Sequence, residues 1–284
     1  MELNQVMPPQ DRTIGALAAM SEATRLTAFL LVRKGRVYDL GVELNRNSPA
    51  VPGFAPFSMA YTHTPEMTAP SGFSFASEMV SSALHTGTHI DALAHVQANG
   101  LIHGGVRVSE ALTDHGFSVH GVETVPPIIG RALILDAAKH RGVERLADGE
   151  EVGVSDVQAM LRLRNLEIRA ADIVLVRTGK ITQWSEPAAF GAGAPGVGRD
   201  AARWLNDRGM VLLGTDTPAT EPSPFADPAN TLHKAMLVEA GVHLIENLWL
   251  EELCADGVTE ALFVALPVKL TGATGSWLRP VAIV

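Results

Sequence analysis

From Thr13 to Lys34 the chain is rich in Ala and Leu, which predicts one or two helices, and Val37-Tyr38-Asp39-Leu40-Gly41-Val42 then reads as a strand. The stretch from Asn45 to Ser74 carries five prolines and two glycines and is expected to be mostly irregular. Beyond residue 130 the pattern becomes regular. A strand at Ala132 to Leu135 is followed by three units in which a helix leads through a short turn into a buried strand. Ser155-Asp156-Val157-Gln158 has capping-box spacing and opens a helix through Arg164, ahead of the apolar run Asp172 to Val176. A second helix, Arg199 to Arg208, stops at Gly209 before Met210 to Leu213, and a third, Thr231 to Glu239, stops at Gly241 before Val242 to Glu246. The last apolar run, Ala261 to Leu266, ends at Pro267, and the chain closes with Pro280 to Val284.

Helices alternating with short buried strands predict an α/β fold. No solenoid-length repeat or linker divides the 284 residues, so a single domain is expected after a polar, Pro-containing lead-in over residues 1–11. The apolar stretch from Ile14 to Val32 is interrupted by Glu22 and Arg25 and has neither a basic region before it nor a cleavage site behind it. It predicts no signal peptide and no membrane span. Lys plus Arg total 22 against 31 for Asp plus Glu, a balance of −9, which argues against nucleic-acid and polybasic membrane partners. The lone Cys254 excludes an intrachain disulfide and cysteine-based zinc sites and makes the cytoplasm the default compartment. Ala192 to Gly198 is glycine-rich but lacks the Lys-Ser/Thr pair and preceding strand of a phosphate-binding loop.

Three of the ten histidines fall in eleven residues, His85-Thr86-Gly87-Thr88-His89-Ile90-Asp91-Ala92-Leu93-Ala94-His95. So many imidazoles beside a carboxylate need a common partner to offset desolvation, and a divalent metal is the natural one. A single helix would turn Asp91 some ~200° away from His89, and a straight strand would separate His85 from Asp91 by roughly 20 Å. The chain must therefore bend at Gly87, and a strand breaking into a tight turn is expected to present His85, His89 and Asp91 to one metal. Downstream, a helical leg of ~11 Å from His233 and a returning strand leg of ~14 Å bring Glu246 level with His233. His243 has the opposite strand parity and reads as structural.

The motif H-x-G-T-H-x-D-A-x-x-H resembles the signature of the metal-dependent cyclase family, which includes bacterial kynurenine formamidases and isatin hydrolases. Residues 34–41, Val-Leu-Val-Arg-Thr-Gly at 174–179, Gly-Thr-Asp-Thr at 214–217, His233 through Leu248 and Gly-Ala-Thr-Gly-Ser at 272–276 are similar to further family blocks in order. The likeness covers residues 34–284, leaving 1–33 as a lead-in and helical segment, and the turn Gly100 to Gly105 is similar to a longer subgroup. It implies a three-layer β/β/α swivelling-type domain, assembled as a homodimer or homotetramer. It also implies a hydrolase that opens a cyclic amide or lactam, or cleaves a formamide-type bond, of a small molecule through a metal-bound hydroxide. A lactonase or a metal-dependent isomerase or cyclase is the alternative. By the same resemblance His85, His89 and Asp91 hold a first Zn²⁺ or Mn²⁺, Asp91 bridges to a second held with His233 and Glu246, and His95 is the general acid/base. Asp216, at the end of its strand, reads either as the acceptor of an imidazole N–H or as the cap of a turn. Phe54, Phe57, Tyr61, Phe73 and Phe75 read as pocket walls or as loop anchors.

Overall fold

The computed structural model describes residues 11–67, 71–225 and 227–284. Most of the predicted lead-in, residues 1–10, lies outside them, as does Pro70 of the proline-rich stretch. The helix α1 (Glu22–Phe29) is capped by Ser21, whose hydroxyl accepts the Thr24 backbone N–H. The strands are β1 (Val37–Asp39), β2 (Ser58–His63), β3 (Ser77–Ser81), β4 (His89–Asp91) and β5 (Ile128–Asp136). Then come α2 (Val154–Arg164), β6 (Asp172–Arg177), α3 (Arg199–Asn206), β7 (Met210–Thr215), a π-helix (Lys234–Ala240) and β8 (His243–Glu246). The chain ends with α4 (Glu251–Ala255), β9 (Glu260–Ala265), β10 (Gly275–Trp277) and β11 (Val281–Ile283).

Nine strands form one mixed sheet in the order β1-β11-β9-β5-β6-β7-β8-β4-β10. The three predicted helix-to-strand units supply its parallel centre, β5-β6-β7-β8, because each crossover helix returns the next strand in the same direction. One face, with Leu133, Val174, Val176, Leu213 and Leu244, is covered by α2, α3 and the π-helix. The other, with Ile134, Ile173, Leu212, Ile245 and Phe263, is covered by Leu17 and Met20 near the N-terminus and by Leu253 and Cys254 of α4. The α/β class and the single layered domain are as expected. Among the described residues, strand pairing outside the main sheet consists of two-stranded ribbons.

Three local expectations change. The capping interaction of α2 starts earlier, with Asp156 accepting the Gly153 N–H, so Gly153 and not Ser155 is the N-cap. The third helix is a π-helix with His233 as its N-cap, stopped as foreseen by Gly241 in the left-handed conformation (φ +67°). The proline-rich stretch is not wholly irregular, since β2 lies in it and pairs with β3 as an antiparallel ribbon of largely exposed residues. Proline leaves Ser58 to His63 free, and that run can pair locally without a core.

Candidate metal centre

At the edge of the sheet β4 is inserted antiparallel between β8 and β10. The register sets His89 opposite Glu246 and Asp91 opposite Leu244. Paired residues share a face, so His89, Asp91 and Glu246 project on the helix-covered side while Ile90 and Ile245 point into the other core. His243, on the opposite strand parity from Glu246, is buried and belongs to neither donor set.

The bend at Gly87 is real and precedes the strand instead of ending one. Gly87 has φ +71°, and a Cβ there would lie 2.5 Å from Leu44. Asn247 Nδ2 donates to the Gly87 carbonyl, Thr88 Oγ1 donates to the Asn247 carbonyl, and the Val42 N–H donates to Thr88 Oγ1. These bonds tie the turn to the end of β8. The turn lifts His85 over β10, where its Nδ1 lies 2.8 Å from Asp91 Oδ1 and its Nε2 lies 3.0 Å from Thr274 Oγ1. A second turn, closed by the His95 N–H donating to the Ala92 carbonyl, brings His95 back to stack on His85 at 3.9 Å between ring centroids.

Three imidazoles thus converge on two carboxylates. His89 Nε2 is 3.4 Å from Asp91 Oδ1 and 3.6 Å from Glu246 Oε2. His233 Nε2 is 3.4 Å from Asp91 Oδ2 and 3.2 Å from Glu246 Oε1. The two oxygens of Asp91 therefore serve different neighbours, one towards His85 and His89 and the other towards His233. Two overlapping sets of potential metal donors result, His85, His89 and Asp91, and Asp91, His233 and Glu246. All five residues expected as ligands are brought together.

The outer nitrogens of the rings are also engaged. His89 Nδ1 lies 2.8 Å from the Gly87 carbonyl, which can only accept, so Nδ1 carries the proton and Nε2 turns inward. His233 Nδ1 lies 3.2 Å from Glu221 Oε1. His89 Nε2 and Asp91 Oδ2 are fully buried without a hydrogen-bond partner, and both face the centre of the group. Buried polar atoms are normally satisfied, so orphaned donors aimed at one another fit a divalent cation.

The electrostatics agree. Burial alone would raise the Asp91 carboxyl, but His95, His233, His85 and His89 around it hold it well below the usual range. Burial pushes the Glu246 carboxyl up, with Asp91 adding to the effect. His89 and His233 are raised against their burial by Asp91 and, for His233, by Glu221 and Glu246 as well. Positive charge is thus favoured where the rings meet the carboxylates. A cation that replaces those protons keeps the same balance.

Asp216 does not reach an imidazole. It accepts the backbone N–H groups of Thr178 and Gly179 and the Thr178 hydroxyl, at 2.7 to 2.8 Å. β6 and β7 are parallel neighbours, so a carboxylate just past the end of β7 falls on the turn that follows β6. Phe54 lies 6.1 Å from His85 and Phe57 lies 6.2 Å from Trp277, beside the site, whereas Tyr61, Phe73 and Phe75 are exposed residues of the β2–β3 ribbon and its connection. Glu221 had drawn no attention in the sequence, and Thr274 entered only within the block at 272–276, with no role of its own. Neither belongs to a motif with a spacing argument, and only the fold places them against His233 and His85.

The fold and site together define an α/β protein with a largely buried His/Asp/Glu cluster able to hold a metal ion. Residues 38–222 match the Cyclase family ("Putative cyclase"), and the chain belongs to that family. A kynurenine formamidase of Bacillus cereus is 28% identical over 246 residues, covering 86% of this chain and 95% of the relative. Among solved structures, a novel cyclase superimposes with a TM-score of 0.88 at 26% identity, covering 97% of both chains. Isatin hydrolase A from Ralstonia solanacearum gives 0.66 at 25% identity, covering 93% of this chain and 97% of its own. Among the described residues no helix is long and apolar enough to cross a membrane.

Proposed function

We propose that the chain is a metal-dependent hydrolase that cleaves a carbon–nitrogen bond other than a peptide bond in a small molecule, opening a cyclic amide or lactam or splitting a formamide-type bond. The observation that carries this reading is the pair of overlapping donor sets sharing Asp91, beside a histidine that belongs to neither. His85, His89 and Asp91 would hold a first Zn²⁺ or Mn²⁺, and Asp91, His233 and Glu246 a second. When bound, such ions supply Lewis acidity and lower the pKa of water. The names of the relatives, a formamidase and an isatin hydrolase, support the bond type.

The protein's own part is proton management. Burial pushes His95 down to about 4, with His85, His233 and His89 contributing, so its ring is neutral at pH 7 with a lone pair available. Stacked on His85 and 6.3 Å from the His233 ring, it takes a proton from the attacking water as oxygen bonds to the carbonyl carbon. It returns that proton to the leaving nitrogen as the C–N bond breaks. Phe54 flanks the His85 side, with ring centroids 6.1 Å apart.

We also propose a homodimer or homotetramer. Residues 51–84 contain two charged side chains, Glu66 and Glu78, where the chain average of 19% would place about six. Met59, Tyr61, Phe73, Phe75, Met79 and Val80 are between 43% and 68% exposed. At roughly 100 Å² each they offer about 600 Å² per copy, and about 1,200 Å² across two copies reaches the lower edge of a specific interface. The same segment includes Phe54, whose ring lies 6.1 Å from that of His85.

The test compares wild type with His95→Ala by elemental analysis and by turnover on a panel of formamides, lactams and lactones. Retained metal with turnover lowered ~10²- to 10⁴-fold, and products whose summed mass exceeds the substrate's by one water, is the expected result. Wild-type turnover in His95→Ala, or a wild type that takes up no ion, overturns the proposal.

A further inference from the structure

Two adjacent residues between β7 and the π-helix grip His233 and Glu246, the two members of the second donor set that the first does not share. Thr220 Oγ1 donates to Glu246 Oε1 at 2.9 Å. Glu221 accepts the His233 backbone N–H at 2.8 Å through Oε2, while its Oε1 faces His233 Nδ1 at 3.2 Å. Glu221 is buried, and its Oε1 and His233 Nδ1 are buried atoms with no hydrogen-bond partner that face one another. The backbone beneath is itself fixed. The Val197 N–H donates to the Thr220 carbonyl, and Gly196 packs so closely that a Cβ there would lie 2.3 Å from the Glu221 carbonyl carbon.

We infer that Glu221 is a positioning residue for the second ion, holding His233 with Nδ1 protonated and Nε2 turned towards Asp91 and Glu246, while Thr220 fixes the Glu246 carboxylate. The inference rests on the two-ion reading above. Its chemistry is specific to a carboxylate. His233 presents two N–H groups, on the backbone and on the ring, and only a side chain with two acceptor oxygens satisfies both. A buried acceptor also fixes which ring nitrogen keeps the proton, leaving the other basic and correctly aimed. Glutamine has almost the same shape but one acceptor, so it must forfeit one of the two contacts. Packing is retained while orientation is lost, which separates positioning from a merely structural role.

The experiment titrates metal-stripped wild type, Glu221→Gln and Glu221→Ala with Co²⁺. Affinities are read by chelator competition and the coordination of each ion by its visible absorption spectrum, with thermal melts alongside. Wild type is expected to take up two ions. Glu221→Gln weakens the second about tenfold and changes its spectrum, Glu221→Ala weakens it between ten- and a hundredfold, and the first ion keeps its constant in both. If Glu221→Ala does not fold, the glutamine variant decides alone. Two ions bound with unchanged constants in the variants, or equal losses at both sites, overturn the inference and leave the two-ion reading standing. Uptake of a single ion by wild type overturns that reading, and the inference with it.

Discussion

Replacing Gly275 by alanine tests how tightly the fold presses on the metal centre. Gly275 pairs with Asp91 across β10 and β4, and a Cβ there would lie 2.7 Å from His85 Cε1, 3.2 Å from its Nδ1 and 2.8 Å from the Ile90 carbonyl oxygen. The carbonyl belongs to the sheet and cannot retreat without opening the strand pair, so the imidazole must yield. Restoring an ordinary contact of about 3.5 Å requires His85 to move by roughly 0.8 Å. That displacement stretches its 2.8 Å contact with Asp91 and its 3.0 Å contact with Thr274 beyond hydrogen-bond range. A buried hydrogen bond to an ionised carboxylate is worth ~1.5 to 3 kcal/mol, and overpacking adds a cost of the same order, so a loss of roughly 2 to 5 kcal/mol is expected. For a chain of this size that is a fall in Tm of about 3 to 8 °C. Differential scanning calorimetry measures it, and competition with a chelator should show the first ion bound at least tenfold more weakly. A Tm within 1 °C of wild type together with unchanged ion affinity would refute the reasoning.

Two further outcomes follow from groups outside the metal centre. Burial, with His103 and His120 nearby, pushes His243 down to about 3, so it folds neutral, and its share of stability is present above pH 6.5 and lost as pH falls towards 3. Chemical denaturation between pH 7 and 4 should show a shallower acid loss in His243→Leu than in wild type, and parallel curves would count against this assignment. For the exposed ribbon, Tyr61→Arg combined with Met79→Glu should convert the assembly to monomers by light scattering after size exclusion. A wild-type monomer at micromolar concentration, or an unchanged mass in the double variant, would remove the ribbon from the interface.

The candidate metal centre was unusually legible because much of its information is local. The spacing of His85, His89 and Asp91 demanded a bend, Gly87 was the residue able to supply it, and the parity of His89 and Asp91 put both on one face. The helix and strand legs from His233 to Glu246 could be measured along the chain, and the Gly241 stop fixed where the chain returned. The resemblance to a metal-dependent cyclase family rested on those same residues, and the family match agrees with it. Local reading failed where competing partners decided. Gly153 took the cap from Ser155 because Asp156 reached its N–H, and Asp216 was claimed by the Thr178 turn because β6 and β7 run side by side.

What the sequence determined by itself was therefore the alternation of helices and strands, the bend, and the identity of five converging side chains, since burial periodicity, turn chemistry and chain length are properties of neighbouring residues. Only the tertiary structure decided that β4 enters the sheet antiparallel between β8 and β10, setting His89 opposite Glu246 across more than a hundred residues of chain. Strand register depends on which apolar faces must meet in the core, and no local pattern contains that information. The same long-range packing brought Glu221 against His233, Thr274 against His85 and His95 onto the His85 ring.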